Sequence, residues 1–122
     1  MKVIRFAYTV FALLFLAVII NSITVGKMID SISVELQHAE EEDPASARRE
    51  YERIYDKYKK YETYISLTVD HDDLSNIEDA FSEIIGAAIA EDVVGVITTK
   101  SRLTDYLKHV KRLSGINIDS IL

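Results

Sequence analysis

The chain has 122 residues, 28% of them charged and 48% apolar, with no cysteine, no tryptophan and one proline. That length suits one domain, and the apolar fraction is too high for a disordered chain; the missing cysteines exclude a disulfide framework, thiolate chemistry, a thiolate metal site and a lipid-modified cysteine. The net charge of −6 argues against nucleic acid as a partner, because phosphate contacts need a basic face.

The charge is unevenly divided. The first 27 residues carry Lys2, Arg5 and Lys27 and no acid, whereas the remaining 95 carry 11 basic and 20 acidic residues. From Phe6 to Gly26 no residue is charged, a run of 21. As a helix this run spans about 31 Å, close to the hydrocarbon thickness of a bilayer. Its centre, Val10 to Ile20, is wholly apolar, and Tyr8 at one end and Asn21, Ser22 and Thr24 at the other suit the two interfaces. The run is longer than the apolar core of a cleaved signal peptide, and no A-x-A pattern follows it. It therefore reads as an uncleaved signal-anchor over residues 1–27, with the lipid bilayer as partner through residues 6–26. Lys2, Arg5 and the amino terminus precede the span and only Lys27 closely follows it. The positive-inside rule then places residues 28–122 outside the cytoplasm of a single-pass cell-membrane protein.

Four glycines and one proline are too few for a strand-rich fold, and the apolar spacing is helical. A first soluble helix is predicted from about Met28 to Glu41, with Ile29, Ile32, Leu36 and Ala39 on one face. It continues or bends from the membrane helix at Gly26. Asp43-Pro44 is a helix start, a capping carboxylate followed by proline at the first position. The helix it opens runs to about Thr68 with Ala47, Tyr51, Ile54, Tyr55, Tyr58, Tyr61 and Ile65 in one arc and Tyr64 off it. A third helix begins near Asp72 or Asp73 and buries Leu74, Ile77, Phe81, Ile84, Ile85 and Ala88. Glu91-Asp92 breaks it and caps a fourth, with Val93, Val96, Leu103, Tyr106, Leu107, Val110 and Leu113 inward and Gly115 as its stop. The apolar tail Ile116, Ile118, Ile121 and Leu122 is expected to fold back on the bundle. Short links favour antiparallel neighbours. The chain reads as all-α: one N-terminal transmembrane helix, then a small antiparallel helical bundle over residues 28–122.

Signals for chemistry are sparse. No G-x-S-x-G, P-loop or G-x-G-x-x-G occurs, and neither a catalytic residue nor a cofactor is assigned. Of the three histidines, none has another within four residues, the spacing a one-helix metal site needs. His71 lies in Asp70-His71-Asp72-Asp73, whose acids suit a helix cap. The same segment offers a cation one imidazole and carboxylate oxygens, and His71, Glu78 and His109 are a composite candidate metal set that requires the third and fourth helices to bring them together. Glu62 and Lys100 fall inside apolar arcs. Either they snorkel to the core's rim, or they pair with each other, or they meet a partner. With Tyr64 they are the candidate interaction residues. The alternating charges from Arg48 to Glu62 describe a solvated helix face.

The segment His71-Asp72-Asp73-Leu74-Ser75-Asn76-Ile77-Glu78, with Glu91-Asp92, Leu107-Lys108-His109 and the ending Asn117-Ile118 … Ile121-Leu122, resembles the bacterial domain-of-unknown-function family 4363. The resemblance covers most of the chain. It implies a similar length, one N-terminal hydrophobic segment followed by helices, a spore-forming Gram-positive host and a neighbouring membrane protein as partner. It implies no activity.

These readings converge on a non-enzymatic, single-pass membrane protein whose outer bundle scaffolds or binds another membrane or envelope protein, with self-association left open. The alternative is an extracytoplasmic sensor of a small ligand or cation acting through a partner; a metal-assisted hydrolase using the histidine and carboxylate set is a third. A tyrosine-lined pocket favours the sensor, converging His71, Glu78 and His109 the hydrolase, and a closed core with an exposed apolar patch the scaffold.

Overall fold

The computed structural model describes residues 1–39 and 43–121, with the backbone alone for Pro44 and residues 116–121. Four helices follow one another: α1 (Lys2–His38), α2 (Pro44–Ile65), α3 (His71–Ile89) and α4 (Val93–Ile121). No strand occurs among the described residues.

The caps explain the boundaries. Asp43 accepts from the Ala45 N–H at 3.3 Å and from the Ser46 hydroxyl at 2.8 Å, starting α2 where the sequence predicts. At α3 the capping carboxylate is Asp70, which accepts from the Asp72 N–H at 3.3 Å. The helix thus starts at His71, slightly earlier than expected, and leaves Asp72 and Asp73 in its first turn, where acids complement the dipole. Upstream, α2 ends at Ile65 rather than near Thr68, and residues 66–69 form a turn.

Each helix packs on the next, and α4 closes back onto α1. Cross-helix bonds fix every neighbouring pair as antiparallel. Lys57 and Arg53 of α2 meet Glu35 of α1, Lys59 meets Glu78 of α3, Arg102 of α4 meets Glu83, and Lys111 meets Asp30. The buried residues of α1 (Ser22, Val25, Ile29, Ile32, Leu36) alternate spacings of three and four, as do Leu74, Ile77, Phe81, Ile84 and Ala88 of α3, with Ala80 buried beside them. This is the seam of coiled-coil-like bundle packing. The centre is filled: Tyr51, Ile54, Tyr58, Phe81, Ile84, Leu103 and Leu107 are inaccessible to solvent. Tyr55 and Tyr58 place their rings 5.1 and 5.5 Å from that of Phe81.

Three expectations are corrected here. First, α1 runs uninterrupted through Gly26, one of the two courses the sequence allows, and ends at His38, short of Glu41, which lies outside the described residues. The bundle begins at Ser22, inside the uncharged run, because Ser22 and Val25 already face α4. Second, α4 does not stop at Gly115 but runs to Ile121. Glycine at that position stays helical with nothing crowding it. The side chains expected to fold back, Ile116, Ile118, Ile121 and Leu122, lie outside the described residues. Third, Val93 is exposed rather than inward; Tyr106 packs partly buried against the core, Leu113 is partly buried, and Thr99 and Ser114 also take inward positions.

N-terminal to the bundle, α1 stands alone. Phe6, Tyr8, Phe11, Leu13 and Leu14 are all more than half exposed, on a helix long and apolar enough to cross a membrane. A continuous helix with no linker joins this apolar stretch to the bundle.

Candidate functional site

The end of the bundle away from the apolar stretch is closed by the α3–α4 turn. Glu91 adopts the left-handed conformation (φ 56°), and its N–H donates to the Ala88 carbonyl at 3.2 Å. The Asp92 N–H donates to the Ala87 carbonyl at 2.9 Å, while its carboxylate accepts from the Gly95 N–H at 3.0 Å and caps α4. A Cβ at Gly95 would run into that carboxylate, so the cap itself requires glycine there. A turn so constrained is a rigid platform.

That platform displays apolar side chains. Ile89 (55% exposed), Val93 (49%), Val94 (74%) and Ile97 (51%) surround it. On α4, Val93, Val94 and Ile97 lie roughly 60–160° around the helix from inward-facing Val96, hence on one flank. Contiguous exposed apolar patches are uncommon on folded monomers, whereas apolar residues scattered singly are ordinary. The sequence reading missed this cluster by assigning Val93 to the core stripe. The signal was present: adjacent Val93-Val94 followed by Ile97 cannot all point inward on a helix that also buries Val96.

At the other end of the α2–α3 seam sits a polar cluster. Glu62 Oε1 accepts from Lys59 Nζ at 3.1 Å, and the same ammonium donates to Glu78 Oε1 at 2.7 Å. Burial raises the Glu62 carboxyl above the usual range, and the adjoining Glu78 raises it further. Glu78 is lowered by its contact with Glu62 and by Lys59. The Tyr58 hydroxyl, wholly buried beside Glu62, is pushed up by burial.

The other candidates are placed as follows. Lys100 Nζ donates to the Ala39 carbonyl at 3.4 Å, toward the opposite end of the bundle from Glu62, so the two do not form the mutual pair that was one option. Tyr64, expected off the stripe, is half-buried and packs against the core. His109 faces Asp73, with Nε2 3.4 Å from Oδ1, and Glu78 is engaged by Lys59. The set of His71, Glu78 and His109 does not converge, and no trio of histidine and acidic side chains among the described residues is placed to hold a metal ion. The tyrosines do not line a groove: Tyr51 and Tyr58 fill the core.

No protein-family model, curated protein or solved structure matches this chain.

Proposed function

We propose that this chain is a single-pass membrane protein, with residues 28–122 outside the cytoplasm, whose bundle holds another membrane or envelope protein by its outer tip. The observation that carries the proposal is the cluster of Ile89, Val93, Val94 and Ile97, exposed on a turn that Asp92 and Gly95 lock in place. It lies at the far end of a bundle roughly 25 Å long. A rigid apolar surface loses little conformational freedom on binding, which favours a docking role. The filled core argues against the small-ligand sensor, whose ligand would need space between the helices. The family 4363 resemblance, with its implied membrane neighbour, points the same way. Photo-crosslinking residues placed singly at Val94, Ile97 and, as a control, exposed Lys60 test it in native membranes. The proposal expects one discrete protein adduct from the two tip positions and none from Lys60. Equal yields from all three, or none from any, would overturn it.

A further inference from the structure

The Glu62 cluster contains two buried oxygens. Glu62 Oε2 and the Tyr58 hydroxyl are both shut off from solvent, and neither makes a well-formed hydrogen bond among the described residues, although each lies beside the other's side chain. Unsatisfied buried polar atoms are rare and call for an explanation. For Glu62 Oε2, an acceptor set beside a second carboxyl, the missing element is a hydrogen. The second carboxyl, Glu78, adjoins Glu62, and a single ammonium, Lys59, serves both. With both carboxyls ionised the cluster carries a net charge of −1 in a half-buried seam; with one proton added it is neutral. We propose that Glu62 and Glu78 form a proton-binding site that holds one proton between α2 and α3, and that losing this proton loosens the seam.

The shared Lys59 and the buried Glu62 oxygen frame the site. Protonated on Oε2, Glu62 becomes a donor to the Glu78 carboxylate, which keeps Lys59 on its Oε1. The remaining Glu62 oxygen accepts from Lys59, and the Tyr58 O–H lies beside the same carboxyl as a further donor. Other titratable groups around the pair are Tyr55 and Asp56 on α2 and His71 on α3. On α4, His109 is taken up by Asp73, and on α1, Glu35 is held farther along by Lys57 and Arg53. Two like-charged carboxyls sharing a site titrate apart, one above and one below the ordinary range, and these values belong to the pair. The direction of each shift, Glu62 up and Glu78 down, fits that pattern.

The test is a carbon-13 titration of the glutamate side-chain carboxyls in the full chain in detergent micelles, paired with amide hydrogen exchange corrected for its intrinsic pH dependence. Glu62 should titrate above the ordinary glutamate range. In Glu78→Gln its titration should move down, since the like charge is gone and Lys59 is left to Glu62 alone; in Lys59→Met it should move up. Exchange at residues 58–65 and 71–78 should quicken as Glu62 ionises, and Glu62→Gln should lose that acceleration. A Glu62 titration in the ordinary range, or unmoved by Glu78→Gln, would show burial acting alone and overturn the shared proton. Unchanged pH dependence of exchange in Glu62→Gln would overturn the loosening of the seam.

Discussion

The Ser22 hydroxyl donates to the Ser114 carbonyl across 2.9 Å, a buried hydrogen bond between residues 92 apart in sequence. It fastens α1 to α4 where α1 leaves the bundle. At the same level the Asn21 side chain donates to the Thr68 hydroxyl at 3.1 Å and ties the α2–α3 turn to the same helix. Exposed Leu67 projects from that turn, at the end that a membrane would meet. Helix α1 therefore leaves the bundle without a break, fastened on two sides at that point.

Phe81 tests the core. Its ring is fully buried between Tyr55 and Tyr58. Phe81→Ala should cost about 3–5 kcal/mol, the transfer loss plus the cavity left behind. Chemical denaturation of the detergent-solubilised chain, with the midpoint lowered and the slope unchanged, checks it.

Gly95 tests the tip. Helix propensity alone makes Gly→Ala stabilising by about 1 kcal/mol. Here the added Cβ collides with the Asp92 carboxylate, so Gly95→Ala should destabilise. In an Asp92→Ala background only the close contact to the Ala87 Cβ at 3.3 Å remains, and the same change should cost less. A double-mutant cycle of melting temperatures measures this coupling directly.

Glu35 gives a pH dependence. It accepts from Lys57 at 2.9 Å and from Arg53 at 3.0 Å, and the Lys57 hydrogen bond is the main reason its carboxyl is lowered. A carboxyl lowered on folding contributes stability above its unfolded value, and loses it as pH falls through the folded one. Glu35→Gln should cost about 1 kcal/mol at neutral pH, where the pair is partly exposed and screened. The difference from the parent chain should vanish well below the ordinary glutamate value of about 4.3. Melting temperatures of both proteins across that range decide it.

His71 separates the scaffold from the cation sensor. It opens α3 behind the Asp70 cap, and the remaining members of the proposed metal set face other partners. Zinc, manganese and calcium should leave the melting temperature unchanged, and His71→Ala should be neutral. A cation bound by the folded state at one hundred times its dissociation constant would add about 2.7 kcal/mol, a shift of many degrees in a bundle of this size.

Much of this fold is legible in the sequence because helical periodicity and caps are local. The stripes of α1 and α3, the Asp43-Pro44 start and the break at Glu91-Asp92 can each be read within a few residues. What was not legible depends on neighbours distant in sequence. Nothing around Ser22 says that it faces Ser114, because that contact joins residues 92 apart in sequence. Gly115 is a common terminator, yet here α4 continues past it. Glu62 was marked as odd from its place in an apolar arc, but the second carboxyl beside it comes from α3 and only packing brings it there. The apolar tip escaped notice because single apolar residues near a turn are ordinary, and only their shared exposure distinguishes them.

The central claim is a bundle held outside the cell by α1, and the chain's lack of cysteine makes one measurement decisive. A single cysteine at Thr98, exposed on α4, is treated in intact cells with a membrane-impermeant maleimide, and the protein is then recovered from the membrane fraction. The account predicts full labelling without lysis on a membrane-bound chain that retains residues 2–20. Labelling only after lysis, or a released product beginning beyond residue 20, would contradict it.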